Sequence, residues 1–167
     1  MNQRRPYRSF MSYIDRSREY YAAQGYSRPY AWAHHDDAPF TPLKKPLSEC
    51  RVGLVTTAGK MDAEAESQGH RAVRELYAMA ANPPPKRLFT ADLFWDKNAT
   101  HTDDVDSFLP LNPLAELAAG GRIKSASPRF YGVPTEYSQG KTSLRDAPKI
   151  LEWCREDGVD ALLLSAL

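Results

Sequence analysis

The sequence predicts an α/β fold: an open, mainly parallel sheet with flanking helices, plus an N-terminal helix and an extended arm rich in aromatic residues and proline. Three features favour it: a β-branched run at Arg51–Thr57, helical segments after it, and an apolar run at Val159–Leu167. Strands that alternate with helices pair in parallel, because each helix returns the chain to the same end of the sheet. We expect residues 1–46 to form the helix and arm, and residues 47–167 an α/β domain that is incomplete at its C-terminus.

The composition is that of a single globular chain. It has 167 residues, with 22 Lys and Arg against 21 Asp and Glu, so the formal charge of +1 gives no reason to expect nucleic acid or a membrane as partner. Hydrophobic residues make up 42%, which excludes a disordered chain, and no apolar run approaches the roughly 20 residues that span a bilayer. Two cysteines are too few for a disulfide scaffold, so the cytoplasm is the expected location.

The first 46 residues predict an amphipathic helix followed by an irregular arm. Gly25 is the expected stop of this helix, and five residues at helical spacing form one face of it: Phe10, Tyr13, Ile14, Ser17 and Tyr21. The segment Pro29–Pro46 contains four prolines, which lack the N–H that helices and sheets require. Its aromatic side chains are expected to hold it against its own domain or against a second subunit.

The elements of the α/β domain follow in order. Arg51–Thr57 predicts a buried strand, Asp62–Ala81 a helix that ends before three consecutive prolines, and Arg87–Phe94 a second strand. A short helix is expected at Pro113–Ala119, with proline in its first turn and glycines beyond its end. The remaining elements are a strand within Ile123–Tyr131, a helix at Asp146–Asp157 that stops at Gly158, and a fully apolar buried strand at Val159–Leu167.

Ligands of open parallel sheets bind at the carboxyl ends of the strands, which points to the loop Thr56–Gly59. The hydroxyls of Thr56 and Thr57 and the amide of Gly59 are suited to an anion, but a tight exit turn explains the same residues equally well. The loop Tyr131–Tyr137 adds Thr135 and Tyr137 as candidate substrate ligands, with a structural turn as the alternative.

Two polar clusters have side chains that bind metals or move protons, namely residues 34–37 (HHDD) and the group His101, Asp103 and Asp104. Solvated turns whose Asp side chains cap local amides account for both clusters as well. Cys50 and Cys154 are interpreted as small buried hydrophobic residues. The chain lacks the motifs of dinucleotide sites, phosphate loops, zinc proteases and serine hydrolases, and no metal site is predicted.

Four stretches occur in an order and spacing that together resemble one known family. They are residues 45–59 (KPLSECRVGLVTTAG), 100–105 (THTDDV), 108–123 (FLPLNPLAELAAGGRI) and 156–167 (EDGVDALLLSAL). The chain from about Pro39 onward thereby resembles the selenoprotein B family, the catalytic subunits of glycine, sarcosine and betaine reductases, with D-proline reductase as a relative.

The resemblance implies a selenocysteine or cysteine directly after the last strand, at the position that follows Leu167. The chain itself then contains no catalytic residue or cofactor, and a UGA codon read as stop is one explanation. The family attacks its activated amine substrate at the carbon next to nitrogen and cleaves the C–N bond, with other reductase-complex subunits as partners. A shorter, stand-alone reductase with a different substrate is the alternative within the family.

Two further functions stay open. One is a non-catalytic binding or assembly module that docks through the aromatic arm. The other is a hydrolase or lyase that uses His101 with Asp103 or Asp104, which requires these side chains to converge on Thr56–Gly59. For the reductase we expect exposed apolar surface beside Val159–Leu167, and homo-oligomers through the N-terminal arm or this C-terminal strand.

Overall fold

The computed structural model describes residues 13–28, 36–37, 41–62, 67, 75–91, 98–134 and 138–166. The chain divides into two compact units, Met1–Pro39 and Phe40–Leu167. Most of the predicted arm and the His34-His35 pair lie outside the described residues. This division near residue 39 does not test the predicted boundary after residue 46, which stays a prediction.

In the first unit, helix α1 spans Tyr13–Ala23, as the apolar spacing predicted. The chain leaves it at Gly25, whose φ of 84° is the left-handed conformation that glycine adopts without steric cost. Tyr20 and Tyr21 of α1 and Tyr26 after the turn form a chain of edge-to-face ring contacts with centroids 5.7 Å apart. All three tyrosines are exposed.

The second unit contains one five-stranded sheet, which confirms the predicted α/β class. Its strands are β1 (Arg51–Thr56), β2 (Tyr77–Ala80), β3 (Ser125–Ala126), β4 (Arg129–Gly132) and β5 (Ala161–Ser165). Strand β1 is central: β3 and β4 pair in succession with one of its edges and β5 pairs with the other, all in parallel. Strand β2 adds to β4 in antiparallel register. The sheet is therefore mixed, with parallel pairing at its centre.

Helices cover both faces of the sheet. On one face, α2 (Leu111–Ala119) and a 3₁₀ turn (Val105–Ser107) pack on a core of buried residues: Val52, Leu54, Phe108, Leu109, Leu111, Leu114, Ile123 and Phe130. The opposite face carries α3 (Gln139–Lys141), a π-helical turn (Thr142–Asp146) and α4 (Ala147–Glu156). A smaller core of Val55, Tyr131, Ile150 and Cys154 lies beneath α4.

The predictions for α2 and α4 are confirmed to within two residues. Helix α4 ends at Glu156 and is followed by Gly158, whose φ is 64°, and α2 is followed by Gly121, whose φ is 68°. Burial of both cysteines also agrees with the sequence interpretation, since Cys50 is fully enclosed and Cys154 lies on the buried face of α4. The strand predicted within Ile123–Tyr131 occurs as two pieces, β3 and β4, which are separated by Ser127 and Pro128.

Two predicted elements are wrong in part. The helix predicted for Asp62–Ala81 contains strand β2 at its end, where Ala78 and Ala80 pair with β4. Backbone pairing to an available sheet edge outweighs the weak helical preference of this segment. Where Arg87–Phe94 was predicted to be a strand, the described residues form only an isolated bridge between Gly59 and Phe89.

Strand β5 is also placed differently from its prediction. It was expected to be a buried central strand, but among the described residues it pairs with β1 alone and occupies an edge of the sheet. Leu163 is 54% exposed and Leu164 is 78% exposed. The apolar sequence of β5 thus gives a partly uncovered edge strand, and the expectation of exposed apolar surface beside it is confirmed.

Candidate functional site

The carboxyl ends of the parallel strands form one edge of the sheet, here called the carboxyl edge. Thr56, the last residue of β1, pairs with Gly132 of β4 on one side and with Ser165 of β5 on the other. The hydroxyl of Ser165 donates a hydrogen bond to the carbonyl of Phe108, which ties β5 to the turn that precedes α2. Three chain segments therefore converge where an open sheet presents its ligands.

A cavity of about 220 Å³ lies directly beyond β1 at this edge. Its lining residues include Thr57, the cationic Lys60 and the acidic Asp62 and Glu75. Tyr77, Val133 and Pro134 complete the side nearest β2 and β4. Positive and negative groups thus share one small cavity, called the edge cavity below.

Tyr77 fixes the floor of the edge cavity. Its hydroxyl donates to the carbonyl of Ala58 over 2.7 Å, and its ring lies edge-on to Phe130. The ring occupies the space above Gly132, where an added Cβ would come within 1.9 Å of a ring carbon. Burial raises the pKa of Tyr77, so the phenol stays protonated and acts as a donor. Glycine at position 132 is therefore required for this contact.

The predicted loop Thr56–Gly59 is built mainly by internal hydrogen bonds. Thr56 is fully buried, and its Oγ1 accepts from the amide of Ala58 at 3.2 Å. The amide of Gly59 donates to Phe89 at 2.7 Å. Both amides are thus already used as donors, an arrangement typical of the exit turn that the sequence allowed. Of the predicted residues of this loop, Thr57 and Gly59 line the edge cavity and Thr56 does not.

The candidates of the second cluster lie on an exposed turn. The Nδ1 of His101 is 3.6 Å from the carboxylate of Asp103, and both side chains are largely exposed. Asp104 accepts from the amide of Asp106 at 3.0 Å and so caps the 3₁₀ turn. Among the described residues that line the edge cavity, none belongs to this cluster. The structure therefore does not bring His101, Asp103 and Asp104 to Thr56–Gly59, as a hydrolase or lyase would require.

Two further candidates, Thr135 and Tyr137, lie outside the described residues. Tyr131, which begins the same loop in the sequence, is fully buried within β4 and hydrogen bonds to Asp157 rather than facing the carboxyl edge. The thiol of Cys154 lies beneath α4, and burial raises its pKa, which disfavours the thiolate that acts as a nucleophile.

Sequence reasoning missed a second concave region, an apolar cleft of about 370 Å³ between α4 and the sheet. Val55, Ile150, Leu162 and Leu164 supply much of its wall, and Asp146 lies within it. Asp146 has only 1% of its surface exposed. It stands at the predicted start of a helix, where aspartate normally caps, and nothing in the sequence indicates that it is buried instead.

Neither a metal cluster nor a membrane helix is found in the described part of the chain. No three His, Cys, Asp or Glu side chains there are grouped to hold a metal ion. Among the helices described, none combines the length and the apolar character needed to cross a bilayer.

Comparison with known proteins identifies one related sequence. The D-proline reductase subunit gamma of Acetoanaerobium sticklandii is 30% identical over 131 residues. The match covers 76% of this chain and 52% of that protein, so the chain spans about half the length of the curated relative it matches. No family model and no solved structure matches the chain. The chain is a distant relative of the reductases that include D-proline reductase, the relationship that its sequence resemblance indicated.

Proposed function

We propose that this chain is the N-terminal part of a selenol- or thiol-dependent reductase subunit that cleaves the C–N bond of an amino-acid substrate, as glycine, sarcosine and betaine reductases do. The observation that carries the proposal is the position of the edge cavity. It adjoins the end of β1, whose last residue pairs with the last residue of β5. A nucleophilic residue that directly follows β5 in the chain would therefore lie at this same edge.

The charges of the edge cavity support an amino-acid substrate. Lys60 is suited to a substrate carboxylate, while Asp62 and Glu75 are suited to its ammonium group. A zwitterion needs both kinds of partner within a few ångströms, and a cavity of about 220 Å³ holds both kinds in its wall. Relationship to a D-proline reductase subunit agrees with this substrate class.

The proposed chemistry uses a selenolate or thiolate supplied by the residue after Leu167. It attacks the carbon next to nitrogen, a carbon–selenium or carbon–sulfur bond forms, and the nitrogen leaves with the electron pair of the broken C–N bond. A thiol then attacks selenium or sulfur, and the carbon departs with the electron pair and takes up a proton. A dithiol donor finally reduces the selenosulfide or disulfide. Selenocysteine is favoured because a selenol ionises more readily than a thiol at neutral pH.

The first test of the proposal is the nucleotide sequence after the codon for Leu167. We expect UGA there, followed by a continuing reading frame. The extended protein is then expressed with cysteine or, as the matched control, serine at the following position, and assayed with a dithiol on D-proline, glycine, sarcosine and betaine. Turnover by the cysteine form alone supports the proposal. An ordinary stop codon without a continuing reading frame would contradict the proposal.

The edge cavity is tested in the same extended protein with Lys60→Met. If Lys60 holds the substrate carboxylate, KM rises by about tenfold or more, because a charge-assisted hydrogen bond is lost. Lys124→Met is the matched control, since Lys124 lies at the opposite end of the sheet, beside the start of β3. Equal KM values in the two variants would remove Lys60 from the substrate site.

A non-catalytic assembly module is the second candidate function, favoured by the exposed tyrosines of the first unit. Tyr20 and Tyr26 are each 62% exposed, and the ring of each contacts the ring of Tyr21 edge to face. Exposed tyrosines are typical of surfaces that dock on other proteins. If the assembly function is correct, replacing Tyr20 and Tyr26 by serine abolishes homo-oligomers or complexes with reductase subunits and leaves the fold intact.

A further inference from the structure

The apolar cleft has the composition of a small-molecule site. Its volume of about 370 Å³ falls in the range typical of ligand pockets, which are mostly apolar with a few placed polar groups. Val55, Ile150, Leu162 and Leu164 are apolar lining residues. Two aspartates also line the cleft: Asp160, which is already paired with Lys45 at 2.8 Å, and Asp146. The cleft is open to solvent beside Leu164, which is 78% exposed, so a ligand has a path of entry.

One oxygen of the buried Asp146 carboxylate has no hydrogen-bond donor among the described residues. Its Oδ1 accepts from Arg145 Nε at 2.6 Å, whereas its Oδ2 has no hydrogen-bond donor in the described part of the chain. Leaving a buried acceptor without a donor costs roughly 1–3 kcal/mol, and more for a charged group. Such an atom is unusual in a folded protein and calls for a partner.

The local backbone explains why Asp146 faces inward. Residues Thr142–Asp146 form a π-helical turn, which inserts one extra residue per turn just before α4. Asp146 consequently has helical dihedral angles and makes no cap hydrogen bond, although it precedes α4 directly. Thr142, four residues earlier, lines the same cleft and donates its own hydroxyl to Ser138. The turn therefore directs a carboxylate into an apolar space, and π turns of this kind are frequent at functional sites.

We propose that the apolar cleft binds a small apolar amine that carries no carboxylate, with an N–H of the ligand donating to Asp146 Oδ2. The hydrocarbon body of the ligand lies against Val55, Ile150 and Leu164. The described lining contains no Lys or Arg, so a carboxylate on the ligand would be buried without a partner. This site is separate from the edge cavity and independent of the proposed reductase function.

The test is calorimetric titration of the purified full chain with benzylamine, benzyl alcohol and phenylglycine. Benzylamine is expected to bind at least tenfold more tightly than the other two, because it alone combines the charged donor with the absence of a carboxylate. Asp146→Asn weakens benzylamine binding by about tenfold or more. The matched control is Glu152→Gln, which removes an exposed carboxylate from α4 outside the cleft.

A second variant separates binding from folding. Ala147→Phe leaves Asp146 in place and fills part of the cleft that Ala147 lines, so it is expected to abolish benzylamine binding while circular dichroism shows an intact fold. Failure of benzylamine to bind the wild-type chain overturns the proposal. So does binding that Asp146→Asn and Ala147→Phe leave unchanged. Self-association that buries Leu164 and is lost in Ala147→Phe, without amine binding, assigns the cleft to a second copy instead.

Discussion

The two ends of the parallel sheet are built in opposite ways. At the amino end, β1, β4 and β5 begin among ion pairs: Arg129 with Asp157 and Glu156, and Lys45 with Asp160. At the carboxyl edge the same strands end beside the edge cavity and the exposed Leu164, while the apolar cleft runs along β5 from Asp160 to Leu164. We infer from this difference that stability is concentrated at one end of the sheet, which leaves the other end available for a ligand.

At the amino end of the sheet, Asp157 accepts hydrogen bonds from two strands, β1 and β4. Asp157 accepts from Arg129 Nε at 2.8 Å and from the hydroxyl of Tyr131 at 2.6 Å. Its backbone carbonyl accepts from the guanidinium of Arg51 at the start of β1. Burial opposes the charged form of Asp157, but the bonds from Arg129 and Tyr131 outweigh it and lower the pKa of this carboxyl. Arg129 and Asp157 thus join β4 to the end of α4.

Asp157→Ala is expected to produce the largest loss of stability. It removes the charge-assisted hydrogen bonds from Arg129 and Tyr131 and leaves the Tyr131 hydroxyl with only its longer contacts to Trp153 and Ser127, so the free energy of unfolding falls by about 3 kcal/mol. Urea denaturation followed by circular dichroism measures the change. Glu156→Gln is the control, because Glu156 is half exposed in its pair with Arg129 and is expected to lose less than about 1 kcal/mol. Similar losses in both variants would contradict the importance of Asp157.

A pair of tyrosine variants compares the two ends directly. Tyr131→Phe removes the hydroxyl that donates to Asp157 at the amino end, and we expect a loss of about 2 kcal/mol because the acceptor is charged. Tyr77→Phe removes the hydroxyl that donates to the neutral carbonyl of Ala58, and the expected loss is about 1 kcal/mol. Chemical denaturation of both proteins measures which variant loses more free energy of unfolding. A larger loss for Tyr77→Phe would contradict the difference between the two ends.

Acid is expected to remove the contribution of Asp157, at the amino end, to the free energy of unfolding. Because the pKa of Asp157 is lower in the folded than in the unfolded chain, its contribution is present above the unfolded value of about 3.9 and is lost as pH falls through the folded value. Unfolding measured from pH 6 to pH 2 is expected to show a steeper decline below about pH 4 in the wild-type protein than in Asp157→Asn. Parallel curves would show that another carboxylate controls acid unfolding.

The sequence predicted the central strand, the main helices and their glycine stops, because these depend on local spacing and local backbone conformation. Strand β2 was missed because its helical spacing resembles that of the residues before it, whereas its pairing with β4 joins residues more than 45 positions apart. The edge position of β5 was missed for a related reason. An apolar strand has the same sequence whether one or both of its neighbours are present.

The candidate site was predicted only in outline. The general rule for parallel sheets located the loop after β1, and Thr57 does border the edge cavity. Lys60, Asp62 and Glu75 were not singled out, because they are ordinary surface residues until the fold brings positions 60 and 75 together. Asp146 was assigned to a helix start, and only the π turn shows that it faces the cleft.

The most direct test of the difference between the two ends compares the same substitution at Asp157 and at Asp146. Asp157→Asn places an amide N–H against Arg129 or Tyr131, and we expect a loss of about 2 kcal/mol. Asp146→Asn keeps an acceptor for Arg145 and exchanges one unpartnered atom for another, so the free energy of unfolding changes by less than about 0.5 kcal/mol. Urea denaturation measures the free energy of unfolding of both variants relative to the wild-type protein. Equal losses, or a larger loss for Asp146→Asn, would contradict a sheet that is stabilised at its amino end and kept open at its carboxyl edge.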